Sequence, residues 1–292
     1  MSPSHLSRRR LLPPWALALF GAAMLTIIVL IFPRASVFQQ LGSGGDPDHG
    51  DSVRVLLLRS LLAKGEKGFA LRREYIRQLG LTGDYAGAFS EFDRLQADRG
   101  NPGDSLWMLE IEVASWAFSS QPGKDGNAAA RLRTAGEELL KAGGPSHLAW
   151  AGEKAGAAGA YDLAAKLYLR AAGSDSLNAI WYRRSAEMST AAGDCHGASA
   201  ALFAALDRLK DGAVLLDGTE RKSAFLDGLR ALQACGQLDE ALAAADRRMR
   251  EWSGDTEVLL FLVRLAQAAD RPGQAQHYAQ LLIKPIASGT SP

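Results

Sequence analysis

The chain has 292 residues, 47% of them hydrophobic, and carries 33 basic against 32 acidic side chains. That length supports a sizeable core, while the near-neutral balance excludes the strongly basic footprint of a nucleic-acid-binding domain. With 8% aromatic residues and no run of alternating, β-branched-rich sequence, the composition reads as all-α.

In chain order, residues 1–14 form a short basic N-terminus, followed by an uncharged run at 15–32, from Trp15 to Phe32. Eighteen residues at ~1.5 Å each lie at the short end of what crosses a ~30 Å hydrocarbon layer. Arg8, Arg9 and Arg10 on one side against Arg34 on the other predict a cytoplasmic N-terminus and a periplasmic body, given a Gram-negative envelope. A cleaved signal peptide is the competing reading, but its apolar region is ~7–15 residues and ends in a small-x-small site. Here the run ends in Phe32-Pro33-Arg34, so an uncleaved single-pass anchor in the inner membrane is expected. Without those four arginines the remainder carries 29 basic and 32 acidic residues. Residues 33–50, turn-rich from Gly42 to Gly50, read as a flexible linker.

Residues 51–285 are organised by a recurring motif. Asp51 or Ser52 caps an apolar helix running through Leu62, and Gly83-Asp84-Tyr85-Ala86-Gly87-Ala88 then opens the series. The motif returns at Gly159 to Ala164, at Gly193 to Ala198, at Gly236 to Ala241 and at Asp270 to Ala275. Two of these steps are 34 residues, the period of tetratricopeptide repeats. The turn residue closes one helix in the left-handed region. The alanine five positions on (Ala88, Ala164, Ala198, Ala241, Ala275) lets the second helix lie close against the first. Larger side chains four positions further, Phe92, Tyr168 and Leu202, reach the neighbouring pair, whereas Ala245 and Ala279 are less typical there. The expected fold is therefore an α-solenoid of helical hairpins. Between Gly83 and Gly159 one degenerate unit with a lengthened turn at Ser119 to Gly126 is expected, and Gly212 to Thr219 is an insertion. Pro285 stops the last helix, and 286–292 form a disordered tail.

Chemistry-bearing motifs are missing from the sequence. No Walker loop, His-Glu-x-x-His, paired-Cys zinc box or Gly-x-Ser-x-Gly elbow occurs, so no enzyme, cofactor or metal site is expected. The histidines stand singly, and His147, His196 and His277 suit solvated or capping roles. Cys195 and Cys235 fall at the helix-turn edge of consecutive repeats. An oxidising compartment permits a bridge between them, but equivalent turns sit ~10 Å apart and a bridge needs Cα atoms within ~7 Å. Two buried thiols are therefore the first reading and a disulfide the alternative.

Binding residues are sought on the first helix of each hairpin. The repeat frame places Arg73, Arg77, Glu153, Arg183, Glu187, Arg230, Gln233, Arg264 and Gln267 on the groove-lining face. Guanidiniums recurring along such a face suit carboxylates or polar oligomers. The plainer reading is a solvated helix face with intrahelical pairs such as Arg183 with Glu187.

The order Ile31-Phe32-Pro33-Arg34, short linker, apolar helix Val53 to Leu62, Leu71-Arg72 and Leu81-Thr82-Gly83-Asp84-Tyr85 is similar to the start of the Pel-type exopolysaccharide export protein family. Leu232-Gln233-Ala234-Cys235-Gly236 and Arg264-Leu265-Ala266 with Ala269-Asp270-Arg271-Pro272 resemble that family's repeats. The family continues into an outer-membrane β-barrel, of which this sequence has no strand segment. The resemblance implies a periplasmic scaffold that binds protein partners, such as a polysaccharide-modifying enzyme or export pore, or the polymer itself. A translocon- or cytochrome-maturation-associated accessory acting on nascent chains is the alternative.

Overall fold

The computed structural model describes residues 52–64, 68–99, 103–120, 126–174, 180–210 and 218–283, all within one compact unit that starts at Asp51. The apolar run 15–32, the linker 33–50 and the tail 286–292 lie outside the described residues. Among the described residues no helix is long and apolar enough to cross a membrane.

Thirteen helices and no strand occur among the described residues. A leading helix, α1 (Ser52–Ala63), precedes six hairpins. These are α2 (Phe69–Leu81) with α3 (Tyr85–Arg99), α4 (Gly103–Ser120) with α5 (Gly126–Ala142), and α6 (Pro145–Ala157) with α7 (Tyr161–Ser174). Then follow α8 (Ile180–Ala191) with α9 (Cys195–Lys210), α10 (Gly218–Ala234) with α11 (Leu238–Trp252), and α12 (Thr256–Ala268) with α13 (Pro272–Ile283). We call the first helix of each hairpin its A helix and the second its B helix. Extensive packing joins only helices adjacent in the chain or one element apart, as a stacked array requires and a bundle closed on one centre does not.

Five hairpins share one turn. The residue after each A helix's last turn sits at positive φ: Gly83 at 84°, Gly159 at 87°, Gly193 at 78°, Gly236 at 73° and Asp270 at 55°. The next amide donates to the carbonyl five residues back, from Asp84 to Leu79, Ala160 to Ala155, Asp194 to Ser189, Gln237 to Leu232 and Arg271 to Ala266, at 2.8–2.9 Å. That is the Schellman closure, which satisfies carbonyls the helix end leaves open. Asp270 takes the glycine's place because a short polar side chain tolerates the left-handed region. Asp84 and Asp194 then cap the following helices, accepting from the Gly87 and Gly197 amides. The alanine five positions after each turn is buried between the paired helices, from 0% exposed at Ala88 to 8% at Ala275.

The irregular stretch is more regular in space than its sequence suggests. α4 and α5 make a full hairpin, and α4 runs on through Ser119 and Ser120, so less of the segment is turn than its composition implied. One aliphatic and aromatic core runs from Ile76 in α2 to Ala171 in α7, and another from Phe203 in α9 to Tyr278 in α13. Between them, around α8, the buried contacts shrink to Ala172, Tyr182 and Ala205 and to Ala186, Ala198 and Ala201. Buried Ser185, Ser189 and Ser199 lie in the same zone, where Ser185 Oγ donates to the Ala165 carbonyl.

Cys195 and Cys235 form a disulfide across Cα atoms 6.2 Å apart, which corrects the expectation of separate buried thiols. The ~10 Å estimate treated the two positions as equivalent, but they are not. Cys195 begins a B helix two residues after its turn glycine, whereas Cys235 immediately precedes the next turn glycine. Neither is fully buried: Cys195 is half-buried and Cys235 exposed.

Candidate binding face on the A helices

The candidate residues occupy α2, α6, α8, α10 and α12, all A helices. Arg77, Glu153, Glu187, Arg230 and Arg264 each precede their turn residue by six positions, so they fall in register from hairpin to hairpin. Arg77 is half-buried and the other eight candidates are exposed. The sequence frame thus placed all nine on A helices, most of them with their side chains in solvent.

Their partners divide them into two groups. Arg77 Nε donates to Glu112 of α4 at 3.2 Å, and Arg183 Nη2 reaches Glu220 of α10 at 3.2 Å. Arg230 pairs with Asp227 on its own helix at 2.8 Å and lies 5.7 Å over the Phe261 ring of α12. The intrahelical pair expected between Arg183 and Glu187 is instead made by Arg184, at 3.1 Å. Three residues along a helix bring Arg184 beside Glu187, which leaves Arg183 turned toward the next A helix. Lys222 of α10 continues the cross-links with Asp255 at 3.4 Å and Glu257 at 2.8 Å. The second group, Arg73, Glu153, Gln233, Arg264 and Gln267, makes no side-chain hydrogen bond or ion pair among the described residues. Ion pairs therefore lace α2 to α4, α8 to α10 and α10 to α12, and five polar side chains on α2, α6, α10 and α12 stand outside these laces. Arg183 and Glu220 also border an open groove of about 260 Å³ whose floor includes Leu202 and Ala205 and whose rim includes Thr219 and Ser223.

The B helices are joined differently, by residues that the sequence reading missed. Arg131 of α5 grips both oxygens of Asp93 in α3 at 2.7 Å and lies 4.7 Å over the Phe89 ring one helical turn before that aspartate. Its Nη1 donates to Glu110 of α4 at 2.9 Å, so one guanidinium ties three helices. Arg248 of α11 repeats the grip on Asp207 of α9, at 2.8 and 2.9 Å, and lies 4.7 Å over Phe203. In the last hairpin Tyr278 Oη donates to Asp246 at 2.6 Å. A Phe-x-x-x-Asp spacing on Phe89 and Phe203 is the signal that could have marked both clasps. The arginines they hold lie about 40 residues away, beyond any local pattern.

Glu110 is 5% exposed, and burial pushes its carboxyl from the usual range up to about 7 despite the Arg131 guanidinium beside it. On Tyr278, burial and the Asp246 carboxylate both push the phenol upward. His147 meets Asp104 at 2.9 Å and His196 meets Glu240 at 3.3 Å, both cross-links between hairpins. No group of three His, Cys, Asp or Glu side chains able to hold a metal occurs among the described residues.

No protein-family model matches the chain, and no curated protein matches it.

Proposed function

We propose that this chain is a membrane-anchored periplasmic scaffold of tetratricopeptide type, whose A-helix face binds protein partners, or polymer, in Pel-type exopolysaccharide export. The observation that carries the binding part is the set of polar side chains on five of the six A helices, five of which, on α2, α6, α10 and α12, make no side-chain hydrogen bond or ion pair among the described residues. An exposed polar side chain without a partner in the fold is available to a ligand, and its recurrence on four of the six A helices suits an extended one. The anchoring part rests on the uncharged run 15–32 and the arginines before it. The output of such a protein is contact rather than chemistry.

The test is a crosslinked pull-down from membranes with the native chain and with the double variant Arg230→Ala, Arg264→Ala. A polysaccharide-modifying enzyme or an export pore should be recovered, and the double variant should lose most of the yield while keeping its helical circular dichroism. Equal recovery by both chains refutes the A-helix face. Translocon or cytochrome-maturation components, with no polymer enzyme, refute the export assignment in favour of the accessory role.

A further inference from the structure

The leading helix breaks the pattern that a terminal element of a stacked array normally follows, an outer face that is polar. Of the aliphatic side chains on α1, only Leu58 is buried. Leu58 lies with half-buried Arg54, Val55, Leu61 and Leu62 on the flank toward which the array packs. At 100° per residue the opposite flank carries Val53 and Leu56, 70% and 64% exposed, with Ser60, Ala63 and Lys64 among them, while Leu57, 40% exposed, and Arg59 stand at its two edges. No acidic residue occurs between Ser52 and Lys64, while Arg54, Arg59 and Lys64 are all basic. An exposed face of aliphatic side chains whose only charges are cations suits a helix that lies in the headgroup layer of an anionic bilayer.

We infer that α1 is a second, interfacial membrane contact, with Leu56 and Leu57 dipping below the lipid headgroups and Arg59 and Lys64 meeting their phosphates. The inference rests on the proposed anchoring through residues 15–32. Nineteen residues separate Phe32 from Ser52, and α1 is the first helix of the array beyond them. Lipid is favoured over a second copy of the chain by charge, since two α1 helices face to face would bring only like charges together. A helix held along the surface would fix how the array leaves the membrane, so this contact would orient the A-helix face and not merely tether it.

The test uses the full chain reconstituted in vesicles of phosphatidylethanolamine and phosphatidylglycerol. A single cysteine is placed in turn at Leu56→Cys, at Leu57→Cys and, as an aqueous control, at Glu153→Cys. Cys195 and Cys235 are bridged, so each variant offers one free thiol for an environment-sensitive fluorophore. The probes at 56 and 57 should shift to the blue and lose most of their emission to spin-labelled lipid, while the probe at 153 does neither. Aqueous emission at 56 and 57 from a chain that stays in the membrane after alkaline carbonate washing overturns the interfacial contact and leaves the anchor standing. Blue-shifted emission that spin-labelled lipid fails to quench overturns the lipid in favour of a second copy. A chain released by carbonate overturns the anchor and this inference together.

Discussion

Replacing Glu110 by glutamine should stabilise the array above neutral pH and have little effect under mild acid. The carboxyl is buried between α4 and α5, held by Arg131 at 2.9 Å, and titrates near 7 in the folded chain against 4.5 for the unperturbed group. The folded state therefore keeps its proton where the unfolded state has lost it. Below pH 4.5 both states are protonated and Glu110 is neutral to the balance. Between about 4.5 and 7 the unfolded chain ionises first, so the folded state loses ground as pH rises, and above 7 the loss is complete. Two and a half units at ~1.4 kcal/mol each put that loss at about 3 kcal/mol. Glutamine keeps a carbonyl oxygen for the Arg131 Nη1 proton and has no proton to lose, so Glu110→Gln should gain about 2–3 kcal/mol at pH 8 and nearly nothing at pH 4.5. Urea unfolding of the Asp51–Pro292 unit, followed by far-ultraviolet circular dichroism across this pH range, measures the difference between the two chains. The reasoning fails if the two pH profiles run parallel. It fails equally if the variant is the less stable one at pH 8, which would mean that the Arg131 pair outweighs the cost of burying the charge.

Two further perturbations follow from the same geometry. Closing a 40-residue loop, the Cys195–Cys235 bridge should contribute up to about 4 kcal/mol on the chain-entropy model, so Cys195→Ser with Cys235→Ser should lower the unfolding midpoint. Thiol alkylation with and without reductant checks the bridge itself, since equal masses would exclude it. A methyl group added at Gly228 would sit 2.7 Å from Phe203 Cε1, the ring under Arg248, so Gly228→Ala should cost about 1–3 kcal/mol. An unchanged urea midpoint would mean that Phe203 swings aside freely and that the Arg248 clasp is looser than its distances imply.

The hairpin frame was legible because its causes are local. A left-handed residue, an alanine five places on and a capping aspartate all lie within six residues of one another, as at Gly83, Asp84 and Ala88. Asp270 was placed by the 34-residue step from Gly236 alone, and Pro272 beside it is the first residue of α13, where its fixed φ suits a helix start. What was not legible depends on how one hairpin sits on the next. The 6.2 Å approach of Cys195 to Cys235, the crossing of Arg183 to Glu220 and the grip of Arg131 on Asp93 each set side chains together across 37 to 40 residues. Their geometry follows from the stacking of neighbouring pairs, which a repeat period does not specify. The A-helix face was legible in outline, as a register of polar positions. Which of its side chains the fold consumes was not, because Arg183 and Arg184 differ by one residue and therefore by about 100° around the helix.

The thinning of the core around α8 has a consequence of its own. On either side lie continuous clusters of large side chains, whereas the side chains buried between α8 and α9 are mostly alanines and serines, joined by Tyr182 and by Trp181 stacked on Tyr168. Immediately beyond this zone the sulfur bridge ties the α8–α9 hairpin covalently to the α10–α11 hairpin. A ligand long enough to touch hairpins on both sides of α8 would bear on the one stretch where the two large-side-chain clusters are not continuous.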